Sequence, residues 1–546
     1  MKHSFSRTVL SLAIVLALAI SMAIGGPAMA ATDLSEYEYD PNTTYTISWY
    51  VNEPNGPTPD DADIKVLLEE RYNVKFDMVY VDRTDRDEIL STRIATGEFP
   101  DVMTASDPAI AAEYYRQGLI CEIPVELIKY CMPTIAQCID DVAAIEGISP
   151  YVYTNVDGVN IGVPSFNYAG QYEYTSLFRK DWLEALGFDK APETIEELNE
   201  VFYALLENKQ TIIDAGLTNQ SAENIYGLSS GRKKEPFASI YGAYGSLPYY
   251  WELSEDGNSV QYGAIQPGMK EALAQLAQWY ADGVLNPEFI TGENRGDHWS
   301  ISHDFVEGRI LYTNNGPFYQ DMPAGISSGV PKGGKMYKAY VAAGNDPASY
   351  LVGSAPVGPN GDSGSVMWGI TTGDCIVFSS KLANDPAKFA RILTMIEDLC
   401  TTPENYELMY YGVENVHFVK EADGTYKSLL PEDELIETYG LGTVFVAWGE
   451  ALGLCVLDDP AYYAYGDSVA KNGTKNYRDV LLGMAMPSSD IYWDDLEKLR
   501  IETYNDIIQG IKPVDYFDEF VTEWLARGGQ QITDEANEWY GGVTGD

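Results

Sequence analysis

The side chains of this 546-residue chain that could do chemistry on another molecule fall into nucleophiles, carboxylates, and aromatic rings set among hydrogen-bonding groups. Gly227-Leu228-Ser229-Ser230-Gly231 matches the G-x-S-x-G pattern of a nucleophile elbow. An elbow needs a helix directly after its serine and a histidine as base. Here Arg232-Lys233-Lys234-Glu235-Pro236 follows, and beyond the N-terminal region only His298, His303 and His417 are present, so the match reads as coincidence. The 82 Asp and Glu residues supply many chance pairs of the kind glycoside hydrolysis uses, and no feature singles one out. Cys121, Cys131, Cys138, Cys375, Cys400 and Cys455 form no C-x-x-C pair and have no histidine spacing that suits zinc. No metal site and no cofactor are expected. The cysteines read as small buried hydrophobes, with structural disulfides as the alternative. Cys131 and Cys138 would stand about 10 Å apart along a helix, too far for a bridge.

Recognition chemistry is better represented. Flat rings that cost little entropy to fix, combined with planar or hydroxyl hydrogen-bonding groups, suit a ligand with C–H faces and many hydroxyls. Among 40 Tyr, 17 Phe and 10 Trp, the candidates are those next to Gly, Asn or Pro in irregular segments. They are Trp49, the cluster of Tyr241, Tyr244, Tyr249, Tyr250 and Trp251, then Trp299, Phe318 after Asn314-Asn315-Gly316-Pro317, Trp368 and Trp448.

Strand and helix must position these groups. Tyr45 to Val51 and Val74 to Val81 carry the two-residue period of a sheet. Ile64, Leu67 and Leu68 lie at helical spacing between them. A second helix over 85–95 can close at Gly97, ahead of a short strand at Asp101 to Met103. This alternation implies right-handed crossovers and a parallel sheet. Ligands of such sheets bind beyond the carboxyl ends of the strands. The rule nominates Asn52 and Glu53, Asp82 and Arg83, and Ser106 and Asp107, with turn formation and helix capping as the alternative reading. Thr194 with Glu197 forms a capping box ahead of Ile195, Leu198, Val201 and Leu205. Further helices are expected from Met269 to Ala281, with Met269, Leu273, Leu276 and Tyr280 buried, and from Pro386, with Phe389, Ile392, Leu393 and Ile396 buried. Another helical stretch runs from Asp495 to Tyr540, broken at Gly510 and Gly528-Gly529.

Lys2, His3 and Arg7 precede an apolar run from Val9 to Ile24 that breaks at Gly25-Gly26-Pro27 and ends in Ala28-Met29-Ala30. This reads as a signal peptide cleaved near Ala30/Ala31, with an uncleaved anchor as the alternative, and places the mature chain outside the cytoplasm. The net charge of −47 repels phosphate backbones and anionic membrane surfaces, so nucleic acid is excluded as a partner. A strongly anionic ligand would need a local basic pocket. The length predicts two lobes of about 200 or more residues each.

Taken together, these segments resemble extracellular solute-binding protein family 1, the sugar-binding components of ABC importers, in its longer Gram-positive form. The resemblance is carried by the run from Ser91 to Val102, by Tyr115 to Ile120, and by Asp157-Gly158-Val159-Asn160-Ile161-Gly162-Val163-Pro164. It continues through Phe178 to Gly187, Pro192 to Leu198 and Trp279 to Phe289. It implies an α/β, two-lobed periplasmic-binding-protein-like fold, each lobe a mainly parallel sheet flanked by helices, with hinge strands between them. The division it implies is a signal peptide over 1–30, a spacer over 31–44, lobe 1 over 45–166 and 367–430, and lobe 2 over 167–366 and 431–546. It implies crossings near Val163 to Tyr168 and near Trp368 to Cys375, adding Tyr168 and Asn315 to the ligand-binding set and placing Phe318 as a stacking ring. The implied activity is capture of a carbohydrate, an oligosaccharide, by lobe closure and its delivery to ABC permease subunits by a monomer, without catalysis. Two departures stand out: Ala31 occupies the place of a lipid-bearing Cys, and Asn208 to Tyr226 has only Asp214 and Glu223 where long members carry a calcium loop. An exported carbohydrate-active hydrolase and a non-transport sensory binding protein remain the alternatives.

Overall fold

The computed structural model describes residues 33–51, 59–80, 86–230, 234–291, 299–326, 333–421, 426–431, 460–470 and 473–544. The signal sequence, Asn52, Glu53, Asp82, Arg83, Trp448 and Cys455 lie outside the described residues.

The expected alternation of strand and helix builds the first sheet. Its strands lie in the order Val74–Tyr80, Tyr45–Val51, Val102–Ala105, Thr371–Phe378, Val163–Phe166. The first two pair in parallel with Ile47 opposite Phe76 and Trp49 opposite Met78, and Val102–Ala105 joins in parallel on the other side. The two remaining ladders are antiparallel, because Thr371–Phe378 re-enters this sheet from the other lobe. The two-residue period sorts side chains to opposite faces. Ile47, Trp49, Ile376 and Phe378 meet the helices Pro133–Glu146 and Pro386–Thr401, whereas Tyr50, Cys375 and Val377 meet Arg86–Ala95 and Pro108–Arg116.

The second lobe holds the strands Tyr350–Gly353, Tyr174–Arg179, Ile310–Pro317 and Tyr226–Leu228, in that order. Two of its three ladders are antiparallel, so this sheet departs from the mainly parallel expectation. The reason is topological: Tyr174–Arg179 leads away from one crossing and Tyr350–Gly353 leads back toward the next. Thr194 caps the helix Ile195–Glu207 by accepting from the Glu197 N–H at 3.1 Å, while the Glu197 carboxylate reaches back to the Glu193 N–H at 2.7 Å. The helix Gly268–Asp282 buries Met269, Leu273 and Leu276 as expected, but Trp279 takes the buried place foreseen for Tyr280. Gly283 ends it with φ +78°, a left-handed position that favours glycine. Helices Ser489–Ile508, Tyr516–Trp524 and Gln530–Thr544 close the lobe, with positive φ at Gly510 and Gly528 between them. The five described cysteines are buried and unbridged. Among the described residues no helix is long and apolar enough to cross a membrane.

Two chain segments, 167–173 and 354–370, join the sheets and run side by side. The Asn167 N–H donates to Ile370 O at 2.7 Å, the Gly369 N–H to Gly170 O at 2.9 Å and the Tyr174 N–H to Val366 O at 2.9 Å. A Cβ on Gly170 would fall 1.9 Å from Gly369 O, so glycine is required for this approach. A third stretch, 473–483, lies against the second: Val366 bridges Tyr477 in parallel, and the Met367 N–H donates to Tyr477 O at 3.2 Å. The buried Glu173 carboxylate draws the three together, accepting from Ser365 N–H at 3.1 Å and Gly473 N–H at 3.0 Å.

Candidate functional site

Beside these crossings three rings gather. Tyr174, at the start of its strand, stacks on Trp299 with centroids 6.0 Å apart and planes 25° apart. Trp368, from the second crossing, stands edge-on to Tyr174 at 5.6 Å and lies 5.4 Å from Trp299. Trp299 and Trp368 are half-buried, leaving part of each ring open. Asn315 donates from Nδ2 to Trp299 O at 3.2 Å and is 4% exposed, and its Oδ1 has no partner. An enclosed amide oxygen with nothing to accept from is costly unless a ligand or water supplies a donor.

Glu235 connects this cluster to a large cavity. Its carboxylate accepts from Tyr250 Oη at 2.9 Å and Tyr174 Oη at 3.4 Å. The cavity measures about 1120 Å³. Its lining includes Tyr241, Tyr249, Tyr250, Trp251, Trp493 and Tyr504, with Trp493 packed 5.9 Å from Trp251 and Tyr504 6.0 Å from Tyr241 between centroids. Asp479, Glu497 and Arg500 add polar groups to the lining, and Ala109 of the first lobe contributes to it. Arg500 is held by Glu497 through two bonds, Nε at 3.0 Å and Nη2 at 2.7 Å, which fixes its plane. Asp479 accepts from the Trp251 and Leu481 N–H groups; burial nevertheless pushes its carboxyl up to about 6. A space of this size exceeds the usual span for a single small ligand.

The structure brings together Trp299, Trp368 and Asn315, and sets Tyr241 on the cavity wall. It separates the other described candidates. Trp49 is 2% exposed, edge-on to Phe76 in the first lobe's core, because it shares a sheet face with Ile47. Phe318 is 0% exposed, packed at 4.9 Å against Tyr172 and at 5.0 Å against Tyr462. Neither ring offers a face to a ligand, so both stacking assignments are corrected to core packing. Tyr244 is buried against the helix that begins at Gly268, and Tyr168 packs on Phe166. Asp107 caps Pro108–Arg116 by accepting from the Ile110 N–H at 2.8 Å, with Ser106 half-buried beside it. Ser229, the central serine of the G-x-S-x-G match, is buried, and Ser230 after it is irregular chain rather than the start of a helix. Reasoning from sequence passed over Tyr174, Glu235, Asp479 and Trp493. Tyr174 begins the strand Tyr174–Arg179 and Trp493 lies in the helix Ser489–Ile508, neither of them an irregular segment of the kind that marked the other rings.

No family model matches the chain. It is 24% identical over 539 residues, 96% of its length, to the polygalacturonan/rhamnogalacturonan-binding protein YtcQ of Bacillus subtilis (strain 168), covering 97% of that protein. Among solved structures it is similar to the S. pneumoniae ABC-transporter substrate binding protein FusA in complex with kestose, with a TM-score of 0.61 and 17% identity over 91% of this chain and 99% of that one. It is likewise similar to the N-glycan transport solute binding protein NgtS from Streptococcus pneumoniae, with a TM-score of 0.60 and 16% identity over 92% and 99%. From end to end of its two sheets, the chain has the two-lobed α/β fold of the ABC-transporter solute-binding proteins.

Proposed function

We propose that this protein is the exported solute-binding component of an ABC importer and captures an oligosaccharide between its lobes. The observation that carries this reading is the ring-lined cavity of about 1120 Å³ joined through Glu235 to the Tyr174, Trp299 and Trp368 cluster. Rings would stack on the C–H faces of sugar units, while Glu235, Asn315 and Asp479 would take their hydroxyls. The likeness to proteins named for polygalacturonan, kestose and N-glycan handling supports a carbohydrate. The ligand leaves unchanged, delivered by a monomer to permease subunits outside the cytoplasm, with the N-terminal 30 residues removed as a signal peptide.

A second reading of the ligand is an acidic, uronate-rich glycan. Lys234 lines the cavity and ends Arg232-Lys233-Lys234, the only run of three cations in a chain of net charge −47. Thermal shift of the mature chain with maltohexaose and with hexagalacturonate decides between the two, since a ligand at a hundred times its Kd stabilises by about 2.7 kcal/mol. Stabilisation by maltohexaose supports the neutral reading and by hexagalacturonate the acidic one. Peptide binding with no response to any saccharide would overturn both. New reducing ends on the bound glycan would instead mark a hydrolase. Trp299→Ala should weaken the binding sugar by about 2 kcal/mol, the loss of a central aromatic anchor, with the fold retained.

A further inference from the structure

The segment from Arg478 to Gly483 touches both lobes and the cavity at once. From the first lobe, Glu146 meets Arg478 Nη1 at 2.8 Å and Nη2 at 3.0 Å, and Tyr153 Oη donates to Val480 O at 3.0 Å. From the second lobe, Trp251 O accepts from the Val480 N–H at 2.7 Å, and the Trp251 N–H donates to Asp479 Oδ1 at 3.3 Å. Asp479, Leu481 and Gly483 form part of the cavity wall. A Cβ on Gly483 would stand 3.2 Å from that of Asp107 in the first lobe.

Glu146 ends the helix Pro133–Glu146, where the negative end of the helix dipole disfavours a carboxylate. It is held there by Arg478 and by three donors where the second crossing meets its strand: Ile370 N–H at 2.6 Å, Thr371 N–H at 3.3 Å and the Thr371 hydroxyl at 2.5 Å. The pair is shielded, with side-chain exposures of 6% for Glu146 and 17% for Arg478. Arg478 also fills the space over Gly369, where a Cβ would lie 2.5 Å from its Nε. Gly369 is the residue bonded across to Gly170 between the crossings. Arg478 thus contacts the crossings and is covalently continuous with the cavity wall.

We infer that Arg478 is a positioning residue for ligand capture: through Glu146 it ties the angle between the lobes to the cavity wall at Asp479, Leu481 and Gly483. This rests on the reading of the cavity as the ligand site. The test uses the mature full chain with Arg478→Met, Glu146→Gln, the double variant and Arg478→Lys. Small-angle X-ray scattering is recorded without ligand, and affinity is measured for whichever of maltohexaose and hexagalacturonate binds the parent. Each single change should weaken binding about tenfold, within the span of ordinary coupling between sites, and the double change no more than either single. Arg478→Lys should recover part of the loss, and the ligand-free radius of gyration of the Met and Gln variants should differ from the parent's. A ligand-free scattering profile identical to the parent's, or losses that simply add, would overturn the inference. If Arg478→Met does not fold, Arg478→Lys and Glu146→Gln decide by the same two readouts. A parent that binds neither sugar refutes the cavity reading, while the scattering comparison still decides whether Arg478 sets the lobe angle.

Discussion

Two buried carboxylates of the first lobe lie beside cations, and two of the second lie beside neutral donors. In the first, Glu69 meets Lys75 at 2.5 Å and Lys65 at 3.5 Å, and Asp101 meets Lys388 at 2.8 Å while accepting from the Ser48 N–H at 2.7 Å. In the second, Glu252 is bonded by the Ser246 hydroxyl at 2.7 Å and the Leu247 N–H at 2.6 Å, and Asp321 by the Thr175 hydroxyl. The consequences for charge are opposite. Burial acts to raise Glu69, yet Lys75, the Phe76 N–H and Lys65 overcome it and hold the carboxyl below its usual range. Burial pushes Glu252 and Asp321 up to about 8 against the same kind of opposition from weaker donors. A buried charge is stable only when paired, and otherwise gives up its charge. Glu252 and Asp321 thus behave as neutral hydrogen-bonding groups in the lobe that carries the cavity, while Glu69 in the other keeps its charge.

The comparison can be broken most sharply at the two rings that sequence alone would have sent to the ligand. Trp49→Ala in the first lobe and Phe318→Ala at the crossings should each cost about 4 kcal/mol in folding free energy by denaturant titration, the cost of emptying a packed aromatic site. The remaining folded protein should keep the parent's sugar affinity. A loss of affinity with stability intact would return either ring to the binding site. Next in size, Lys388→Met should cost about 3 kcal/mol by leaving Asp101 buried without its cation. The parallel change in the second lobe, Asp321→Asn, should cost less than this at neutral pH, because the acid it replaces is already largely uncharged there. Equal losses at the two positions would erase the distinction between the lobes.

How much of this was legible depends on whether a signal was local. The period of Tyr45–Val51, the Thr194 cap and the Gly283 stop are written in neighbouring residues, and the structure carries each of them. The correction of Trp49 was also available locally, since a ring two residues from Ile47 shares its face. Trp299 and Trp368 were identifiable as rings in irregular segments, but their partner Tyr174 was not. Its place in the cluster is decided by Trp299, 125 positions away, and by Glu235. Asp479 and Trp493 reach the cavity only because the C-terminal helices fold back over Trp251, with Trp493 and Trp251 centroids 5.9 Å apart. The antiparallel ladders of the second sheet belong to the same class, being set by which lobe each strand enters from.

The smallest and most specific effect concerns Asp479, the raised acid that faces the cavity. Its folded-state value of about 6 lies above the ordinary 3.8, with burial as the leading cause. The folded chain therefore binds this proton more tightly than the unfolded chain does. Its stabilising contribution is complete below about pH 4 and is lost as the pH rises through about 6. Asp479→Asn keeps an oxygen to accept the Trp251 and Leu481 N–H groups and removes the titration. The difference in stability between this variant and the parent should change by on the order of 2 kcal/mol between pH 4 and pH 7, with the variant gaining relative to the parent as the pH rises. Glu69→Gln in the first lobe should show the opposite slope, losing relative to the parent as the pH rises through the carboxylate range, because there the charged form is the one the fold holds. Paired pH titrations of unfolding for the two variants give the answer directly: slopes of the same sign would mean that the lobes do not differ in how they bury charge.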